Sequence, residues 1–335
     1  MRRSLCFSGR VSLTLFGIFL TILCAAAGAA DFRVKPYVQN PATDAMTVIW
    51  FSDANTPGVL EYQSTPLDAQ TTTSVPVLAS ALAYLAGEIP LLPGGIDPGP
   101  PYKHQIRLKG LSPDTRYDYR VNQGASETTG TFKTSPAGLA PVRFIVYADS
   151  ETEPESTGVR VAWPDPTGAV PGRLYYIDQT DGYHANLDVI ESREPDFIVI
   201  SGDLAQSGGE QRDWDEFWLH NRGNRLLAGN VPILAAPGNH EYYGGTGGSY
   251  NQPSSENAMA KFRTYFDAPA NNSPNPLQEK RYSRVDYGPV TIIILDVVNG
   301  LPHGTATDSN WYILGETEGG QAPDFNPGSR QYQWL

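Results

Sequence analysis

Three short stretches carry the side chains best suited to chemistry: Asp149-Ser150-Glu151, Gly202-Asp203 and Gly238-Asn239-His240-Glu241. Each follows a short apolar run, namely Arg143 to Ala148 (RFIVYA), Asp196 to Ser201 (DFIVIS) and Val231 to Ala236 (VPILAA), the last by way of Pro237. Taken singly, an Asp after a strand is more often a helix cap or a turn former than a catalytic group. Their coincidence at three successive strand ends is the informative pattern. In an open α/β sheet, side chains just beyond the carboxyl ends of parallel strands converge on one crevice. Carboxylate, amide and imidazole groups meeting there suit cations. Two ions about 3.5–4 Å apart can clamp a phosphoryl group, activate water and stabilise the leaving oxygen. Gly202 and Gly238 belong to the same pattern, because backbone that turns sharply beside an ion has no room for a Cβ.

The elements that must position these groups are legible in the hydrophobic period. The three runs have few alternating polar residues, as expected of strands buried on both faces. Between them lie helical segments, Tyr183 to Glu194 with Asp181 as a cap, and Glu210 to Asn221, which gathers Trp214, Phe217 and Trp218 on one side as core and leaves Asp213, Asp215 and Glu216 as a solvated face. A further helix, about Glu256 to Phe266, precedes strands at Tyr282 to Asp286 and Val290 to Asp296. Strand alternating with helix implies an α/β domain with a mainly parallel sheet, spanning residues 141–335. Residues 31–137 read differently. Short alternating strands, with Met46, Val48 and Trp50 on one face and Tyr117, Tyr119 and Val121 on another, predict a small all-β sandwich, and the breaker-rich Gly87 to Pro101 an inserted loop. Pro136 to Pro141 is the linker.

Residues 1–30 are expected to be a signal peptide: Arg2, Arg3 and Arg10 precede an apolar stretch from Val11 to Cys24, and Ala27-Gly28-Ala29 offers a cleavage site. A secreted or periplasmic protein with no stable membrane anchor follows. Both cysteines, Cys6 and Cys24, fall inside this leader, so the remaining chain can form no disulfide, thiolate catalyst or zinc–cysteine site. A metal would be held by oxygen and imidazole, which suits Mg, Ca, Mn, Fe or Zn. The formal charge of −12, from 24 basic and 36 acidic residues, argues against a nucleic-acid partner.

The order Asp149, Gly202-Asp203, Gly238-Asn239-His240-Glu241 resembles the calcineurin-like metallophosphoesterases. The Leu111-Ser112-Pro113-Asp114-Thr115-Arg116-Tyr117 stretch resembles the corner of a fibronectin type III module, which makes the whole similar to the purple acid phosphatase branch. The likeness covers nearly all of the chain after the leader, and Gly-Asn-His-Glu is its most specific part. It implies a fibronectin type III-like sandwich followed by a layered α/β/β/α phosphoesterase domain that hydrolyses phosphomonoesters at a dinuclear centre of divalent or trivalent ions (Fe, Zn, Mn or Mg). It also implies that Asp149 binds the first ion, Asp203 bridges both, Asn239 binds the second, and His240 serves the phosphate as general acid or hydrogen-bond donor.

The departures are specific. Glu151 stands where much of the superfamily has a histidine and is either a ligand or a support for one. Gln206 stands where purple members have a tyrosine, so no purple chromophore is expected. The late metal-binding histidines of the family have no counterpart, since His303 in Leu301-Pro302-His303-Gly304 matches neither element; Ser329 to Leu335 resembles the helix before them. The sequence therefore predicts a truncated domain with an unpaired edge and weakened activity. Its rival is a secreted binding or adhesion protein that keeps the fold without turnover. His104, His184 and His220 are expected to be structural.

Overall fold

The computed structural model describes residues 32–299 and 315–335, apart from residues 66, 160, 165–170, 173, 178 and 317. The leader and His303 lie outside the described residues. The strands, in chain order, are β1 (Phe32–Gln39), β2 (Ala45–Ser52), β3 (Val59–Gln63), β4 (Gln70–Thr73), β5 (Val77–Leu78), β6 (Tyr102–Lys109), β7 (Arg116–Gln123) and β8 (Ser126–Lys133), followed by β9 (Phe144–Tyr147), β10 (Val161–Pro164), β11 (Leu174–Ile177), β12 (Phe197–Ile200), β13 (Ile233–Ala235), β14 (Ser283–Tyr287) and β15 (Val290–Ile294). The helices are α1 (Gln179–Ser192), α2 (Gln211–Trp218), α3 (Leu227–Asn230), α4 (Ser254–Tyr265) and α5 (Arg330–Trp334).

The first eight strands form two antiparallel sheets, ordered β1-β2-β6-β5 and β4-β3-β7-β8. Alternation along β2 and β7 explains the packing between them: Met46, Val48 and Trp50 meet Leu60, Tyr117, Tyr119, Val121 and Phe132 in one core. The expected corner is present, with the Ser112 backbone N–H donating to the Tyr117 hydroxyl at 2.8 Å. His104 is enclosed in this module, its ring stacked on Trp50 at 4.9 Å and held between the hydroxyls of Ser52 and Ser74, both at 2.8 Å. Burial pulls its pKa down to about 4. An imidazole whose folded pKa lies below its unfolded value stabilises the fold fully above the unfolded pKa near 6.5, and that stability is lost as pH falls from there towards 4. His104→Gln should therefore lose its disadvantage relative to the parent in acid. The gap in urea-denaturation free energy should narrow by on the order of 2 kcal/mol between pH 7 and pH 4; a constant gap would show that the ring is protonated as easily as in water.

The other face of the β1-β2-β6-β5 sheet is not solvated. Val34, Tyr37, Ile49 and Phe51 join the core of the second domain, where Tyr37 lies 4.1 Å from the Trp218 ring and Phe51 5.2 Å from the Tyr265 ring, centroid to centroid. Polar groups seal the same junction: the Tyr37 hydroxyl donates to the Tyr265 carbonyl, the Tyr119 hydroxyl to the Gly229 carbonyl, both at 2.7 Å, and buried Arg222 to the Pro36 carbonyl at 2.5 Å. Each fully buried aromatic side chain is worth about 1.5–3 kcal/mol in transfer from water. The linker thus joins two modules that share one core.

In the second domain β13, β12 and β9 form a parallel sheet in that order. Successive residues point to opposite faces. Ile198, Ile200, Ile233 and Ala235 pack on Leu187 and Ile190 of α1 and on Trp214 and Phe217 of α2, while Phe197 and Leu234 pack on Val285, Tyr287 and Ile294 of the β14–β15 hairpin. This is helix, sheet and sheet in layers, as the α/β expectation required. Three expectations are corrected. β9 is not buried on both faces, because it is the edge strand of the described sheet and leaves Phe144 and Val146 exposed. The helix expected to run to Asn221 ends at Trp218 and continues as a wider π-helical turn, Leu219–Gly223.

The third correction concerns α2, where Asp213 and Glu216 are buried and Asp215 is half-buried rather than solvated. Tyr84 and the expected Gly87 to Pro101 loop lie against this helix: the Tyr84 hydroxyl donates to Asp215 at 2.5 Å, and Glu88, inside the loop, accepts from the Arg212 N–H at 2.8 Å. On the other side Glu216 accepts from the Thr157 hydroxyl at 2.5 Å and meets His220 at 3.0 Å. Burial first, then neighbouring Glu210, pushes Asp213 up to about 9, so it sits in the core as a neutral acid. The β10–β11 hairpin has no counterpart in the sequence reading.

Candidate metal centre

The ends of the three parallel strands are laced together beyond the strands themselves. The Asp149 N–H donates to the Gly202 carbonyl at 3.2 Å, Glu151 to Asp203 at 3.0 Å and Thr152 to Leu204 at 3.1 Å. Asp149, Glu151 and Asp203 all hold left-handed backbone, with φ of 57°, 38° and 55°, and Gly202 lies between them in the chain's fold at 110°. Side chains other than glycine adopt that region at a cost, and such residues cluster where a site dictates their direction. A Cβ on Gly202 would stand 2.7 Å from the Gly238 Cα, and one on Gly238 would overlap the Asp203 carboxylate. Both glycines are therefore needed for two loops to touch.

Glu241 closes this junction. It is fully buried, and its carboxylate accepts from three backbone N–H groups: Asp203 at 2.9 Å, Leu204 at 2.8 Å and Gly238 at 2.7 Å. Burial pushes it up to about 7 against the downward pull of those donors. Asp203 in turn accepts the His240 N–H through Oδ1 at 2.9 Å. The imidazole of His240 is oriented from behind, its Nδ1 bonded to the Gln206 carbonyl at 2.6 Å, which leaves Nε2 facing the Glu151 carboxylate at 3.8 Å. A carbonyl partner fixes Nδ1 as the protonated nitrogen and Nε2 as the one with a lone pair.

One oxygen each of Glu151 and Asp203 and one nitrogen of His240 lie within 4.8 Å of one another, and all three residues are half-buried. Among the described residues this is the one Asp, Glu and His cluster tight enough to hold an ion. Asp149 is exposed and does not join it, but with Glu151 it lines an adjoining cleft of ≈ 570 Å³ that also includes Tyr147, Tyr183, Asn186 and Ile190. Asn239 precedes His240 and directs its side-chain amide nitrogen to the Tyr250 hydroxyl at 3.5 Å. A larger cleft of ≈ 670 Å³ lies on the sandwich, around Arg116, Arg120 and Tyr62, away from this chemistry.

His184 and His220 form a separate pair, Nε2 to Nδ1 at 2.7 Å, backed by Glu216. Neither they nor His104 enter the cluster. The roles of Glu241 and Gln206 were missed from sequence. A lone acid after a histidine carries no sign that it faces backbone, and Gln206 acts through its carbonyl, which every residue has.

Donor set and geometry fit a cation: two carboxylates and a neutral imidazole suit Zn, Mn or Fe. Comparison with known proteins agrees with that chemistry. Residues 143–323 match the calcineurin-like phosphoesterase family, and residues 32–134 the N-terminal domain of purple acid phosphatases. The chain is 32% identical over 187 residues to an uncharacterised protein of Mycobacterium tuberculosis, covering 54% of this chain and 31% of that one. It is 26% identical over 260 residues to an Arabidopsis thaliana protein named probable inactive purple acid phosphatase 27, covering 72% of this chain and 34% of that one. The chain thus spans about a third of the length of these curated relatives. A purple acid phosphatase from yellow lupin (Lupinus luteus) seeds shares the fold, with a TM-score of 0.58 at 20% identity over 89% of this chain and 46% of that one.

Proposed function

We infer that this chain, which belongs to the calcineurin-like phosphoesterase family, is a metal-dependent hydrolase of phosphomonoesters that works outside the cytoplasm. The observation that carries the proposal is the convergence of Glu151, Asp203 and His240 from three strand ends onto one point. A bound divalent or trivalent ion would supply Lewis acidity towards a phosphoryl oxygen and make water a nucleophile at neutral pH. Were two ions bound, Asp203, Asp149 and Asn239 would be among the residues holding them, as the family resemblance implies.

The chain's own contribution is rigidity and orientation. Glu241 locks the Asp203 and Gly238 loops through their N–H groups, and Gln206 holds the His240 ring so that Nε2 faces the site. Preorganised groups need no rearrangement as charge develops on the phosphoryl oxygens. The extracellular or periplasmic location rests on the composition of residues 1–30. No helix among the described residues is long and apolar enough to cross a membrane.

Relatives named as inactive purple acid phosphatases favour a second reading, a secreted binding protein that retains the fold without turnover. Hydrolysis of an aryl phosphate by the purified chain separates the two. The hydrolase reading expects turnover that disappears with a chelator and returns with added Mn²⁺, Zn²⁺ or iron. Absence of turnover with metal demonstrably bound would leave the binding protein.

A further inference from the structure

Two imidazoles that the proposed chemistry does not use face each other across two helical segments. His184 stands in α1 and His220 in the π-helical turn after α2, and their rings meet edge to face at 4.7 Å, with Nε2 of His184 2.7 Å from Nδ1 of His220. Behind them Glu216, one turn back in α2, lies 3.0 Å from His220 Nε2 and accepts from the Thr157 hydroxyl at 2.5 Å. We propose that this row is a proton-operated latch: it fastens the N-terminal half of α1 to the π-helical turn while the two rings hold at most one added proton, and a second proton opens it. The latch goes beyond the metal-dependent reading and does not depend on it.

The row of hydrogen bonds dictates where the protons sit. His220 and Glu216 are buried, and the His220 bond holds the Glu216 carboxyl below its ordinary range against the upward push of burial, so the acceptor at the end of the row is a carboxylate. His220 therefore donates from Nε2 and accepts at Nδ1, and His184 donates to it from Nε2. One further proton still leaves a single hydrogen between the facing nitrogens, whichever ring carries the charge. With two, both facing nitrogens carry hydrogen, and the contact becomes a repulsion between two cations. On the His220 side the charged groups are Glu216 and, around a small shared cavity, Glu153 and Glu151. Around His184 stand Asp181 and Asp188, which favour its charge, and Arg225, which opposes it and bonds the His184 carbonyl at 3.1 Å. Burial first, then His220 and Arg225, pulls the His184 pKa down. The latch is therefore whole above the ordinary histidine value of about 6.5 and opens as pH falls below it. Neighbouring Tyr183 packs edge-on to the His220 ring at 5.8 Å, accepts from the Asn221 amide at 2.9 Å and meets the Tyr147 hydroxyl at 3.3 Å. The same junction thus sets the wall that α1 gives to the cleft beside Asp149. Leu187 and Ile190 keep the rest of α1 in the core, which confines the opening to its first half.

The test is hydrogen–deuterium exchange of the full chain from pH 7.5 to pH 4.5, corrected for intrinsic exchange, with histidine nitrogen shifts read by nuclear magnetic resonance. The closed latch holds one added proton and the open one two, so below the transition the open population grows about tenfold per pH unit. Protection of the amides of residues 183–187 should fall with that slope while protection of α4 stays level. His184→Gln, whose amide can donate or accept, should abolish the pH response. Glu216→Gln removes the anion that favours charge on the rings and should move the transition down by about one pH unit or more. At pH 7.5 the parent should carry hydrogen on Nε2 of both rings. Hydrogen on His220 Nδ1 at that pH overturns the latch even if no variant folds. Protection of residues 183–187 that stays flat to pH 4.5, or falls only together with that of α4, also overturns it. So does protection already lost at pH 7.5 in Glu216→Gln, which would put the switching proton on the carboxylate.

Discussion

Asp203→Asn is expected to lower aryl phosphate turnover by about 10³-fold or more while leaving the melting temperature within a few degrees. The activity loss follows from position. Asp203 is the member of the cluster shared between the loops after β9 and β13, and its carboxylate contacts the His240 backbone while facing Glu151 and the His240 ring. On the proposed hydrolase reading, removing its charge would weaken the hold on a cation that would polarise the phosphoryl group, a contribution of several kcal/mol, and about 4 kcal/mol is a thousandfold in rate. The small stability change follows from the backbone. Asn adopts a φ near 55° readily, its amide oxygen can still accept the His240 N–H, and the residue's own N–H still reaches Glu241. A variant that keeps its metal content and most of its turnover would remove Asp203 from the chemistry.

Glu241→Leu should do the reverse of a pure catalytic lesion, lowering unfolding free energy in urea by about 4 kcal/mol. The leucine leaves three backbone N–H groups, those of Asp203, Leu204 and Gly238, buried around an apolar side chain. Each unsatisfied buried donor costs about 1–3 kcal/mol, and partial relaxation keeps the total below the sum. Glu241→Gln retains one acceptor oxygen but turns an NH₂ towards an N–H, so it should lie between parent and leucine variant. Equal stability of all three would show that the loops are held by something other than this carboxylate.

How far the sequence foretold these features depends on whether they are local. The positions of Asp149, Asp203 and His240 at strand ends were legible because a short apolar run followed by glycine and acid is a local signal. So was the sandwich face of Met46, Val48 and Trp50, from its period of two. Ile49 and Phe51 on the opposite face were not given a destination, because nothing in a strand says that a second domain will cover its other side. The acids of α2 were misread for the same reason. Asp213, Asp215 and Glu216 have the composition of a solvated face, and residues distant in the chain cover this helix, Tyr84 at Asp215, Thr157 at Glu216 and Glu88 at the Arg212 N–H. At the centre itself, the pattern marked three loops, and the structure brings Glu151, Asp203 and His240 of those loops within 4.8 Å of one another. Asp149 and Glu151 both hold left-handed backbone paired to the loop after β12, and only Glu151 approaches His240, a long-range contact that no local pattern signals.

Anomalous diffraction from crystals of the full chain soaked in Mn²⁺ tests the central claim most directly. The account predicts a peak within about 2.5 Å of a carboxylate oxygen of Asp203 and of Glu151, with His240 Nε2 turned to it. Manganese bound elsewhere, with these three side chains pointing away from any peak, would contradict it.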